Sequence, residues 1–345
     1  MTDRSVIAGV DTHKHTHHAA VVGTDGRFIA GSGFAATSAG HEQLAAWLTQ
    51  HGRVVAVGVE GTGSYGASLT RTLEARGIAV VEVNAADRSQ RRRRGKSDTL
   101  DAEQAARSVL ARTSTATPKS KNGDVEAIRV LRIARSTAVK SRTKAMNAIH
   151  AIAVTAPDGL RDELINLKKR SLIRRCRELP PPAVQTDIVL ASTVTSLRTL
   201  AERWTALDNE IDDLDTQLDA LVSRAAPDLC ALHGVGTEIA AQMLITAGDN
   251  HDRLSGEAAF ARLCGVAPQP ASSGKTTGRH RLSRSGDRAA NSAIYLIVIT
   301  RLRRHEPTRA YLARRTAEGL SKREIIRCLK RYVAREIYHA LPKRP

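Results

Sequence analysis

Four acids stand where apolar segments give way to polar ones. Asp11 follows the run Val6-Ile7-Ala8-Gly9-Val10, Glu60 follows Val54 to Val59, and Asp98 and Asp101 lie three apart at the start of a helix-forming stretch. Residues three apart share one face of a helix, so a single element presents two carboxylates together. Four oxygen donors suit Mg²⁺, with Mn²⁺ as the alternative, and do not suit zinc. Cations held in this way stabilise the attacking and leaving oxygens of phosphoryl transfer. Any one of these acids alone reads as a helix cap or a solvated loop charge. The quartet in this order, flanked by arginines, is what points to metal chemistry.

A second stretch able to do chemistry is Pro268-Gln269-Pro270-Ala271-Ser272-Ser273-Gly274-Lys275, with Arg279, Arg281, Arg284 and Arg288 close behind it. An exposed serine in a cationic loop can attack a phosphodiester, although Ser-Ser-Gly taken alone reads as an ordinary loop. Leu232-His233-Gly234-Val235-Gly236 ahead of Ala240 has the form of a helix-hairpin-helix, in which Gly234 and Gly236 leave backbone N–H groups open to a DNA phosphate. A tight turn between packed helices has the same composition. Arg91, Arg92, Arg93, Arg94 and Lys96 form a basic run suited to phosphates. His13, His15, His17 and His18 invite a metal reading, since alternation puts three of them on one side of an extended segment. They read better as a hairpin facing solvent or nucleic acid. Gly61-Thr62-Gly63-Ser64-Tyr65-Gly66 lacks the GxxxxGK[ST] arrangement of a phosphate loop and reads as a tight turn beside Glu60.

Composition selects among partners. The 53 Lys+Arg against 35 Asp+Glu leave +18, a field that attracts polyanions, and nucleic acid is the leading one. No run of about 18 apolar residues and no signal pattern occurs, so the expectation is a soluble cytoplasmic protein without a membrane partner. Cys176, Cys230, Cys264 and Cys328 are too scattered for disulfides or structural zinc and are expected as buried thiols. Aromatic residues make up only 3% of the chain, which argues against sequence reading by base stacking.

The elements that must position these residues follow from periodicity. Strands are expected at Ser5 to Asp11, His18 to Val22, Arg27 to Phe34, Val54 to Val59 and Ile78 to Val83. Helices are expected from a Ser38 cap to about Gly52 and from Ser64 to Ala75. Three hairpin strands followed by alternating helices and strands resemble a ribonuclease H-like (RuvC-like) mixed sheet, in which the first and fourth strands are neighbours and Asp11 and Glu60 converge. Pro118 and its polar neighbours from Thr113 to Asn122 mark a linker, and Val125 to Ile152 reads as a basic helix. Leu197, Leu200, Trp204, Leu207, Ile211, Leu214, Leu218 and Leu221 recur at alternating spacings of three and four, a coiled-coil seam. An amphipathic helix packed within one subunit shares most of that pattern. Across 345 residues the expected division is an α/β domain over 1–115, a helical linker and coiled-coil arm over 116–226, and a mainly helical C-terminal domain over 227–345.

Gly9-Val10-Asp11-Thr12-His13-Lys14, Glu60-Gly61-Thr62-Gly63-Ser64-Tyr65 and Lys96-Ser97-Asp98-Thr99-Leu100-Asp101-Ala102 stand in the order of the DEDD transposases of bacterial insertion sequences, which the chain resembles. The likeness extends through Leu263-Cys264-Gly265-Val266-Ala267-Pro268, Ser273-Gly274 and Ser285-Gly286-Asp287-Arg288. Pilin-gene invertases and bridge-RNA-guided recombinases are of this group. The resemblance implies a composite catalytic site, in which Asp11, Glu60, Asp98 and Asp101 match the metal-binding acids. Ser273, with Ser272 as the adjacent alternative, matches a serine that forms a phosphoserine link to DNA. It further implies donor and target DNA, a structured guide RNA, and a homo-oligomer from dimer to tetramer. Asn84-Ala85 and Ala289-Ala290-Asn291 depart from the usual pattern. The competing functions are a Holliday-junction nuclease using metal-activated water, a non-catalytic nucleic-acid-binding protein, and an actin-like ATPase, for which no second phosphate loop is evident.

Overall fold

The computed structural model describes residues 4–83, 98–181, 187–250, 253–270, 280–282 and 286–342. They form two compact units, one of residues 1–123 with 248–255 and one of 124–247 with 256–342, apart from the last three positions.

The first unit is built on a five-stranded sheet. Strands β1 (Ser5–Thr12), β2 (Thr16–Gly23), β3 (Phe28–Ala35), β4 (Arg53–Glu60) and β5 (Val80–Val83) lie in the order β3-β2-β1-β4-β5. The three hairpin strands are antiparallel, and β4 and β5 run parallel to β1. This mixed sheet is compatible with the ribonuclease H-like expectation. Strand alternation then sorts residues between its two faces. Val6, Ala8, Val10, Val57 and Val59 join Leu44, Leu48, Leu69 and Leu73 of helices α1 (Ser38–Gln50) and α2 (Ala67–Ala75) in one core. Ile7 and Val22 pack on the other face against Ala106 of α3 (Asp98–Leu110). The N-cap of α1 is Thr37, one residue before the expected Ser38; its side chain accepts from Gly40 N at 3.2 Å.

The linker stretch is held through its backbone carbonyls. Glu82 N donates to Ala116 O at 2.7 Å, Asn250 Nδ2 to Pro118 O at 2.7 Å, and Arg253 Nε to Thr117 O at 3.0 Å. Residues 248–255 therefore return to the first unit from far along the chain, an arrangement no local periodicity announces.

The second unit is helical. Its frame is a long pair, α4 (Asp124–Thr155) and α7 (Ile188–Ala225). They run antiparallel: Arg224 meets Asp124 at 2.8 Å, and Arg135 and Arg142 of α4 reach Asp215 and Asp208 of α7. Leu197, Trp204, Ile211 and Leu218, every seventh residue of the heptad seam, are buried within the chain, while Leu200, Leu207, Leu214 and Leu221 are half-covered. Helices α5 (Asp158–Leu164) and α6 (Lys169–Glu178) close one end of the pair through Leu160, Leu164, Leu172 and Ile173. The basic helix is also explained internally. Arg129 pairs with Glu126 and Arg132 with Glu238, so four of its arginines are engaged with acids of the same unit.

After the short α8 (Pro227–Cys230) come α9 (Thr237–Ala247), α10 (Glu257–Leu263), the two-stranded β6 (Pro268–Pro270) and β7 (His280–Leu282), and helices α11 (Arg288–Arg304), α12 (Glu306–Ala317) and α13 (Lys322–Ala340). All four cysteines are free. Cys176 and Cys264 are buried, and burial pushes their thiols up to about 11 and about 12; Cys230 and Cys328 are half-buried, so only two match the expectation fully.

Candidate metal and nucleic-acid site

The acidic residues are gathered by glycines. Gly9 and Gly58 are register partners on β1 and β4, on the face that carries α3. A Cβ on Gly9 would stand 2.1 Å from Ala102 O and 2.3 Å from Ala106 N, and one on Gly58 would stand 2.8 Å from Ala105 O. Only residues without side chains let the helix backbone lie so close to the strands. The consequence is positional. With α3 seated on these glycines, its first turn, carrying Asp98 and Asp101, reaches the end of β1 where Asp11 stands.

Asp11 and Asp101 are 6% and 7% exposed, which sets them apart from solvated surface acids. Burial raises the pKa of Asp11, His13 opposes that rise, and the neighbouring Asp101 and Asp98 add to it. Glu60 ends β4 one position beyond the Val10–Val59 register pair, and alternation with Gly58 directs it to the α3 face. Thr12 Oγ1 donates to its carbonyl at 2.8 Å, joining the two strand ends.

Histidines complete the cluster, and here sequence reading missed the arrangement. His13 Nε2 lies 3.1 Å from Asp11 Oδ2 and 3.6 Å from Asp98 Oδ1, and His18 Nε2 lies 3.4 Å from Asp98 Oδ2. Asp11, His13 and Asp98 each offer a ligand atom within 4.8 Å of the others; Asp101 acts electrostatically on Asp11 and, like Glu60, is not part of this trio. The uniform alternation expected from His13 to His18 is broken by a turn, where His13 N donates to Thr16 O at 3.0 Å. Beyond it, His18 faces α3, whereas His17 is fully buried and stacks on His41 of α1 with ring centroids 5.1 Å apart. Burial lowers the His17 pKa to about 4, so it is a neutral core residue and not a solvated one. The signal available in sequence was His18 itself, two positions before Ala20 on the α3 side of β2.

The residues present fit a divalent cation. The charges of Asp101 and Asp98 that help raise the Asp11 pKa are offset by a bound positive charge, and carboxylate oxygens are the donors that suit Mg²⁺ or Mn²⁺. Thr62 is buried in the turn after Glu60, and Gly61 adopts φ +68, as a tight turn there requires.

In the second unit, Gly234 lies in a left-handed turn, φ +82, between α8 and α9, and Gly236 immediately precedes α9. Buried Arg301 fixes that turn: its Nε donates to His233 O at 2.8 Å while its Nη1 meets Glu336 at 2.7 Å. Gly286 passes close to Gly265, since a Cβ there would stand 2.6 Å from Gly265 N. Asp287 caps α11 and accepts from Thr246 Oγ1 at 2.7 Å. Asn291, one of the departures from the usual pattern, donates to Gly265 O at 2.7 Å. These bonds hold together the two stretches that lead into β6 and out of β7, on which Arg281 is exposed. Arg91, Arg92, Arg93, Arg94, Lys96, Ser272, Ser273, Lys275 and Arg279 lie outside the described residues.

Two family comparisons match this chain. A DEDD transposase model of the IS110 type matches residues 8–155, and one described as transposase of the IS116/IS110/IS902 family matches residues 226–313. Among curated proteins it is similar to an uncharacterized 42 kDa protein of insertion element IS900 from Mycobacterium paratuberculosis, 29% identical over 144 residues, 41% of this chain and 36% of the relative. It is also similar to an uncharacterized 43.6 kDa protein of insertion element IS110 from Streptomyces coelicolor, 32% identical over 133 residues, 39% of this chain and 31% of the relative. The matches thus span about a third of each relative's length.

Proposed function

We propose, since this chain belongs to the IS116/IS110/IS902 family of transposases, that it is the recombinase of an insertion sequence, cutting and rejoining DNA strands through a phosphoserine link. The observation that carries this reading is the meeting of Asp11, His13 and Asp98 on the α3 face of the sheet, with Asp101 acting on Asp11, and with Glu60 at the end of the neighbouring strand. Asp11, Glu60, Asp98 and Asp101 would hold a divalent cation, which when bound would supply Lewis-acid polarisation of the scissile phosphate. His13 orients Asp11 and Asp98, and His18 fixes the second oxygen of Asp98.

Ser273, or Ser272 beside it, is the nucleophile. Its Oγ bonds to phosphorus, the bond from phosphorus to the leaving strand breaks, and that strand's oxygen takes up the proton released by the serine. The energy of the phosphodiester is kept in the serine link, so rejoining needs no ATP. Lys275 and Arg279 would neutralise charge that develops on the phosphate. A structured guide RNA reads the sequence by base pairing while the protein holds backbones, a division of labour supported by the +18 balance. The half-covered leucines of α7 support self-association, which light scattering tests directly: a strict monomer on DNA removes it.

The test of the function is cleavage of a supercoiled plasmid carrying the element's junction by protein purified with its co-expressed RNA. Nicked and linear products should form with Mg²⁺ and vanish with EDTA. Binding without cleavage under every metal condition would reduce the protein to a non-catalytic nucleic-acid binder. No helix among the described residues is long and apolar enough to cross a membrane.

A further inference from the structure

The second unit contains a pocket of about 660 Å³ lined by β6–β7, α12 and α13, a size typical of small-ligand sites. Its wall carries five arginines and one glutamate. Glu324 is already occupied: its carboxylate accepts from Ser321 N at 3.0 Å and Ser321 Oγ at 2.6 Å, closing the capping box of α13. Arg315 and Arg331 are paired with Glu318 and Glu257, whereas Arg281 and Arg327 join no ion pair among the described residues. Positive charge on the exposed Arg281 and Arg327 is therefore uncompensated in the pocket wall.

The same pocket holds two of the chain's five tyrosines. Tyr311 and Tyr332 meet edge to face with centroids 5.6 Å apart, Arg314 lies over the Tyr311 ring at 5.3 Å, and Tyr332 is half exposed. An apolar ligand alone would not need the arginines, and an anion alone would not need the rings. Base and phosphate together need both.

We propose that this pocket receives one unstacked nucleotide of a single-stranded nucleic acid, its base against Tyr332 and Tyr311 and its phosphate toward Arg281 and Arg327. A strand of RNA and a strand of DNA offer the same chemistry. Scarce aromatics argued against stacking along the chain as a whole; the fold places two of them where one base would suffice. The inference rests on the recombinase reading only for nucleic acid as the partner.

The test is fluorescence anisotropy of the full chain with labelled oligo(rU) and oligo(dT) 12-mers, a blunt duplex, and polyglutamate as competitor. Tyr332→Ala should weaken single-strand binding about tenfold, as expected for one lost stacked base, and leave duplex binding unchanged. Tyr332→Phe should restore it, since the ring is kept. Arg327→Ala should weaken binding and lower the salt slope by about one. Whichever of the two 12-mers shows the Tyr332→Ala loss identifies the strand that uses the pocket. Unchanged single-strand binding in Tyr332→Ala, an equal loss on duplex, or competition by polyglutamate matching that of the 12-mers would each overturn the proposal. Failure of the wild-type chain to bind any nucleic acid would instead sink the recombinase reading itself.

Discussion

Asp11→Asn is expected to abolish strand cleavage while leaving the protein at least as stable as the wild type in the absence of divalent metal. The loss should reach on the order of a thousandfold, because charge stabilisation of several kcal/mol disappears at about 1.4 kcal/mol per factor of ten. The stability half follows from the raised pKa of Asp11. A carboxyl whose folded pKa lies above its unfolded one binds its proton more tightly when folded. Stability is then greatest below the unfolded value and falls as pH rises through the folded one. Ionising the native side chain carries a cost from burial and from Asp101 and Asp98, which the amide avoids. Thermal melts in EDTA at pH 7 should show Asp11→Asn melting no lower than wild type, and added Mg²⁺ should raise only the wild type. A variant that cleaves normally removes Asp11 from the site; one that melts far lower makes the carboxylate structural.

Gly9→Val carries the largest expected cost to the fold. The atoms its Cβ would meet, Ala102 O and Ala106 N at 2.1 and 2.3 Å, are helix backbone and cannot rotate away. Overpacking costs typically about 1–3 kcal/mol where side chains can adjust, so a clash with backbone should exceed about 3 kcal/mol. Gly58→Val, whose nearest backbone neighbour is 2.8 Å from the added Cβ, should be milder. If α3 is displaced and the sheet survives, Asp98 leaves Asp11 and Mg²⁺ stabilisation is lost with it. Chemical denaturation with and without Mg²⁺ measures both effects. Wild-type stability in Gly9→Val would show that the helix does not depend on this glycine seat.

Much of the first unit was legible because its signals are local. The apolar runs in Ser5–Thr12 and Arg53–Glu60 and the Asp25-Gly26 turn between β2 and β3 give the strands, and the acids at their ends are the candidate ligands. What sequence could not yield was which residues face which. The turn at His13–Thr16 breaks the period, so His13 and His18, five apart, meet Asp98 together, while His17 lies on the opposite face of β2 in the core. The seat for α3 was likewise hidden, because Gly9 and Gly58 become neighbours only once β1 and β4 pair. In the helical unit, the heptad marked the apolar seam but not its partner. Half of that seam is buried within the chain, which runs α7 antiparallel to α4, and three of the arginines expected to mark a basic helix, Arg132, Arg135 and Arg142, are bound to acids on α7 and α9. The tyrosine pair of the arginine pocket joins α12 to α13 across a loop, beyond the reach of any spacing rule.

The central claim is that DNA is cut by covalent transfer to a serine with the help of the acids around Asp11. Denaturing gels of protein incubated with end-labelled junction DNA and Mg²⁺ test it directly. A labelled protein–DNA adduct should form with the wild type, be absent from Ser273→Ala and from Asp11→Asn, and persist in Ser272→Ala, while all four proteins still bind DNA. Efficient cleavage by Ser273→Ala and Ser272→Ala, with no adduct in any protein including the wild type, would contradict the account and leave a nuclease that uses water.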